Sequence, residues 1–181
     1  NLLIVMQKTL KHLFGWILKE VRTGEIFGIP QSLFFKTPKS NPFQMERYGQ
    51  ILESPLGVAA GPHTQMAQNL ITAWLVGARY MELKTIQTMD DLKIAKPCID
   101  MEDEGYNTEW SQELKILDSF DEYLNAWIII HVLKHKFGWG DPNQLGMIFN
   151  LSLGYNLEGF LKPNMQAFLN LCEDASELLQ S

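Results

Sequence analysis

The stretch SPLGVAAGPHTQMAQNLITAWLVGARYMELKT, Ser54 to Thr85, decides the fold. Leu56 to Ala60 is short and apolar, and Gly61-Pro62 interrupts it. Leu70, Ile71, Trp74, Leu75 and Val76 then recur at helical spacing until Gly77, after which Tyr80 to Thr85 reads as a second strand. The segment is a βαβ unit. A crossover of this kind returns the second strand parallel to the first, so Ala60-Gly61 and Lys84-Thr85 end on one rim of the sheet. In βα barrels and open α/β sheets alike, that rim is where ligands bind.

The chemistry of the two strand ends leaves two readings open. Gly61 removes a side chain where backbone N–H groups could meet a planar or anionic ligand, and Lys84 adds a cation beside it. The same residues also describe a plain βα turn with a solvated lysine. His63, in the turn, could face a ring or a carbonyl, because imidazole titrates near neutral pH. Equally, His63 or Thr64 could cap the helix that starts near Gln65.

SPLGVAAG followed by ELKT resembles the first two barrel strands of the dihydroorotate dehydrogenase and dihydropyrimidine dehydrogenase superfamily, built on a flavin mononucleotide (FMN) barrel. GPHTQMAQNLITAWLVGARYMELKTIQ with KPCIDMEDEGYNTEWS is similar, more specifically, to the N-terminal part of bacterial proteins called selenate reductase subunits. The resemblance implies FMN across the C-terminal rim, with Ala59, Ala60 and Gly61 giving backbone contacts, Lys84 and Thr85 beside the ring, and Asn107 on the substrate side. Lys84 and His63 are then the candidate catalytic residues. A lysine there would stabilise negative charge on the reduced ring, while the flavin performs the hydride chemistry. The family's phosphate-binding loops and catalytic Cys or Ser belong to later strands, outside this chain. Many dihydroorotate dehydrogenases carry a lysine in the turn after the first strand; this chain does not, like the dihydropyrimidine dehydrogenases. The partners implied are other redox domains or subunits, with iron-sulfur clusters and FAD in them or in a longer chain. The competing readings are a flavin-free barrel serving as a scaffold in a redox complex and a barrel binding a phosphorylated metabolite.

Length and charge narrow the classes further. The chain has 181 residues, and a closed eight-stranded barrel typically needs roughly 250. The expectation is therefore a partial (β/α)8 TIM barrel of about three βα units, part of a longer protein. Residues 1–46 form an N-terminal helix and extended arm in this reading, and residues 47–181 the first part of the barrel. A net charge of -6 without a Lys/Arg cluster argues against a nucleic-acid surface. No apolar run approaches the roughly 20 residues of a membrane span, and no signal-peptide pattern appears, so the expected location is cytoplasmic. Cys98 and Cys172 lack CxxC partners and read as reduced thiols, and no metal site is expected.

Leu2 to Val21 reads as one amphipathic helix, and FGIPQSLFFKTP as an extended segment rather than a strand. Arg47 to Glu53 reads as a short strand; in the resembled family a small hairpin here plugs the barrel floor. Ile86 to Asn107 is a charged loop or hairpin excursion, whose Asp100–Glu104 carboxylates read as a solvated acidic face rather than a cation site. Within it Asn107 is also readable as a turn residue or helix cap. Ser119 to Lys136 is a second helix with Phe120, Tyr123, Leu124, Trp127, Ile128, Ile130, His131 and Leu133 on a broad apolar face; His131 and His135, at i and i+4, lack a third ligand. Leu145 to Leu153 reads as the third strand with Asn150 and Ser152 on one face. An inward pair near the strand end could face a ligand or satisfy itself inside the core, the core reading being preferred for Asn150. Leu157 to Gln180 reads as the third crossover helix.

Overall fold

The computed structural model describes residues 9–38, 40–84, 86, 99–100, 106–107, 114–153 and 156–179. Helix α1, Leu10–Val21, starts where the Thr9 side chain accepts the His12 N–H, and it buries Leu13 and Ile17. Of the residues expected to precede it in the same helix, Thr9 is the extended N-cap and residues 2–8 lie outside the described residues. The following arm contains more regular structure than expected. A two-residue hairpin, β1 (Glu25–Ile26) with β2 (Ile29–Pro30), turns at Phe27 and Gly28, and a 3-10 turn spans Gln31–Leu33. The sequence reading missed these because two-residue strands have no periodicity to detect.

The next segment is also a hairpin. Met45–Arg47 (β3) and Gln50–Leu52 (β4) pair antiparallel across Tyr48-Gly49, both at positive φ. The single strand read over 47–53 is therefore corrected, and the hairpin implied by the family resemblance is present. Tyr48, at its tip, shares a side-chain hydrogen bond with Tyr80, and Arg47 donates to the Tyr48 hydroxyl at 3.2 Å.

The centre is a three-stranded parallel sheet, β5 (Gly57–Val58), β6 (Tyr80–Leu83) and β9 (Ile148–Leu151), in the order β5-β6-β9. The barrel is not closed, and the outer edges of β5 and β9 have no ladder partner among the described residues. Helix α2, Ala67–Leu75, joins β5 to β6 after a 3-10 turn at Pro62–Gln65. Its C-terminus is a Schellman motif: Gly77 N–H donates to Trp74 O, Ala78 N–H to Ala73 O, and Gly77 takes a φ of 111°. Val76, placed on the apolar face by spacing, is the helix cap and is exposed.

Beyond β6, β7 (Ile99–Asp100) and β8 (Tyr106–Asn107) pair antiparallel. Helix α3, Ile116–Phe137, then buries Phe120, Tyr123, Ala126, Ile129, Ile130 and Leu133 between the sheet and its neighbours, whereas His131, expected on this face, is exposed. The single crossover helix read over 157–180 is two helices, α4 (Leu157–Phe160) and α5 (Pro163–Glu173). Pro163 explains the break: its ring disfavours a helical residue before it, and Lys162 is extended at φ -61°, ψ 140°. The hydrophobic core is continuous from α1 and the arm through α2, α3 and α5.

One buried ionic cluster lies at the N-terminal ends of the three sheet strands. Glu53 accepts from Arg79 Nε at 2.8 Å and from Lys134 Nζ at 2.9 Å, and Lys134 also donates to the carbonyls of Gln144 and Leu145. Arg79 is fully buried between the Trp74 and Phe35 rings and donates to the Trp74 and Ala78 carbonyls. Burial lowers its pKa, and the hydrogen bond and charge of Glu53 oppose that shift. Gly146 must lack a side chain here, since a Cβ would stand 2.6 Å from Glu53 Cδ and its φ is 73°. Truncating one member of a buried ion cluster strands the others, so Glu53→Ala is expected to cost roughly 3–5 kcal/mol. Gly146→Ala is expected to cost about 1–3 kcal/mol from backbone strain alone. Urea titration of the protein containing this segment, read by Trp fluorescence, measures both.

Candidate functional site

The C-terminal strand ends bring Ala59, Ala60, Gly61 and Lys84 to one rim, as the βαβ reading requires. Alternation along β6 determines what lies beneath. Met81 and Leu83 are buried toward the helices, so Tyr80 and Glu82 occupy the opposite, barrel-facing side, and alternation carries that side on to Lys84. In β9 the residue in register with Glu82 is Asn150, on the same barrel-facing side. Ser152 continues that row just past the strand.

Each candidate residue has a definite setting. Ala59 and Ala60 are exposed, with only methyl groups above the strand end. The Ala60 N–H is directed to the Glu82 carboxylate at 3.4 Å. Gly61 is buried; its N–H donates to Thr64 Oγ1 at 3.1 Å, and that hydroxyl donates back to the Gly61 carbonyl at 3.0 Å. Of the two residues offered as caps, then, Thr64 closes the turn. His63 has an exposed ring, and its carbonyl accepts from Asn69 Nδ2 at 2.9 Å. Lys84 is half-buried and its carbonyl accepts the Tyr123 hydroxyl at 3.1 Å. Asn107 is a β8 strand residue, in register with Ile99, rather than a turn or a helix cap. Thr85 and the Asp100–Glu104 side chains, like Cys98, lie outside what is described.

The first amide of α2 behind this turn is held from across the fold. Glu122, buried in α3, accepts the Ala67 N–H at 2.6 Å and sets a carboxylate at the positive end of the α2 dipole. Periodicity did not single out Glu122, although a charged residue inside an apolar stripe is the available signal. Glu82 was missed as well; counting back two residues from Lys84 would have found it.

Other candidates lie apart from the rim. His131 Nδ1 is 2.7 Å from the Trp127 carbonyl, His135 is exposed, and no group of three metal-binding side chains occurs among the described residues. An apolar groove of about 490 Å³ runs on the helical side of the sheet, between Leu83, Trp127, Phe149 and Leu151 on one wall and Leu171 and Cys172 on the other.

A parallel sheet wrapped by βα crossovers, a hairpin beneath its barrel-facing side and a polar rim above it define the opening units of a βα-barrel domain. The chain belongs to the family described as "Oxidoreductase YgfK, N-terminal TIM-barrel domain", whose model matches residues 27–180. It is 49% identical over 152 residues to the protein named "Putative oxidoreductase YgfK" in Escherichia coli K12, and equally to that of Escherichia coli O157:H7. The match covers 84% of this chain and 14% of each relative, so the chain is similar to a small part of a much larger protein. No helix among the described residues is long and apolar enough to cross a membrane.

Cys172 gives a direct check on the groove. Although the residue is exposed overall, burial of its thiol against the groove raises the pKa to about 11. The native thiol therefore stays protonated at neutral pH, and iodoacetamide labelling of Cys172 at pH 8 is expected to be at least about tenfold slower in the folded protein than in urea. The sign of the linkage follows: the folded state keeps this proton longer, so stability falls as pH rises past the unfolded thiol's pKa. Peptide mass spectrometry after timed labelling measures the rate.

Proposed function

We propose that this segment is the first part of an FMN barrel in an oxidoreductase that moves electrons between flavin and a substrate or attached redox centres. The observation that carries the reading is the composition of the rim. Two exposed alanines clear a flat surface, while Lys84, Asn150 and Ser152 supply donors and Glu82 an acceptor on the barrel-facing side. Such a set fits a planar heteroaromatic group, whose face needs apolar contact and whose edge needs a few placed polar atoms. The relatives' name, an oxidoreductase, agrees with redox chemistry and leaves the cofactor unnamed.

In this reading Ala59, Ala60, Gly61, Lys84 and Thr85 hold the ring and Asn107 reaches the substrate side. FMN supplies the hydride or electron chemistry when bound. The chain's own residues do the rest: Lys84 offsets negative charge at the rim, Asn150 orients a ring heteroatom, and Thr64 keeps the turn rigid. His63, exposed beside the turn, is the candidate proton carrier. Iron-sulfur clusters and FAD belong to the remaining length of the protein or its partners, and residues 1–46 act as a helix and arm fastened to the barrel. The kinship with selenate reductase subunits and with the dihydroorotate and dihydropyrimidine dehydrogenases is part of this proposal.

A second reading is favoured by one observation. The Gly61 and Ala60 amides are both directed to groups within the protein, as in a barrel that has lost its cofactor and acts as a scaffold. Denaturing the purified full-length protein and quantifying released flavin by chromatography separates the two. About one FMN per chain is expected, with at least tenfold weaker retention in Lys84→Ala. A folded protein releasing no FMN would establish the scaffold instead.

A further inference from the structure

We propose that Glu82 is a positioning residue of the rim, holding the Ala59–Gly61 turn through the Ala60 amide and fixing a negative charge beneath the ligand; the second part rests on the FMN reading above. Three observations converge on this residue. Its carboxylate reaches across from β6 to the backbone of the neighbouring unit, 22 residues earlier in the chain. It lies on the barrel-facing side in register with Asn150, so an acceptor and an amide stand side by side under the rim. It is also half-buried in a strand whose alternate residues, Met81 and Leu83, are in the core, so β6 fixes where the carboxylate stands.

The charges around it sharpen the point. Tyr48 and Tyr80, lower on the same side, both feel the Glu82 charge, though the hydrogen bond between the two phenols dominates their titration. Arg47 is engaged with Tyr48 at the hairpin tip. Lys84, two residues further up, brings a positive charge to the rim. Glu82 therefore separates a cation at the rim from the phenols of the floor. A negative charge there disfavours adding electrons to a ring above it and favours ligand edges that present N–H groups over anionic ones.

Two variants of the full-length protein test both parts. In Glu82→Gln the amide oxygen still accepts the Ala60 N–H but the charge is gone. In the FMN that the variant retains, the reduction equilibrium is expected to shift about tenfold toward the reduced form, about 30 mV for a two-electron couple. In Glu82→Ala the acceptor is lost too, and hydrogen exchange across residues 59–61 is expected to accelerate at least tenfold relative to the β6 amides. That exchange is read with or without flavin. A wild type without FMN defeats the cofactor reading, and faster exchange in Glu82→Ala would then still support the positioning role. If exchange over 59–61 is unchanged in Glu82→Ala, the positioning role is wrong. If wild type and Glu82→Gln both hold FMN at the same potential, the charge effect is wrong.

Discussion

Three strands can share a rim only if their opposite ends are held level, and the Glu53 carboxylate does this for the whole sheet. It stands just before β5 and engages Arg79, just before β6, and Lys134, in the last turn of the helix that leads to β9. Backbone bonds repeat the arrangement: Glu53 N–H donates to Gly146 O, and Ile148 N–H to Arg79 O. Such a cluster contributes little net stability over an apolar substitute of equal volume. Its geometric effect is larger. Each partner is reachable in one register, so slipping any strand by a residue would strand a buried charge as well as invert its faces.

That constraint at the floor determines the rim. With the strand starts aligned, the Ala60 N–H faces the Glu82 carboxylate and Glu82 stands in register with Asn150. The hairpin of β3 and β4 belongs to the same arrangement, since its Tyr48 contacts Tyr80 on the barrel-facing side. The lower end of the barrel-facing side is therefore polar. Long-range fixing of this sort suits a site built from strand ends rather than flexible segments.

The βαβ unit was legible because its signals are local. An apolar run, a Gly-Pro stop, a helical stripe and a glycine at positive φ each act within a few residues. Extents were less legible: β5 spans two residues where five were read, because flanking apolar residues such as Leu56 point outward without changing the pattern. The break at Pro163 was available from proline chemistry and was passed over. Glu53, Arg79, Lys134 and Glu122 could not be assigned from spacing, because their partners lie 26 to 81 positions away. A buried charge looks in sequence like any surface charge unless, as with Glu122, it interrupts an apolar stripe. The family resemblance identified the barrel and its hairpin, which periodicity alone had rendered as a single strand.

The open edge of β9 has a consequence for how such a protein is made. An N-terminal domain leaves the ribosome first, and synthesis proceeds at roughly 5–20 residues per second. Among the described residues the outer edge of β9 has no ladder partner, and Leu157, Leu161, Leu178 and Leu179 are exposed. That combination is a template for pairing between nascent chains.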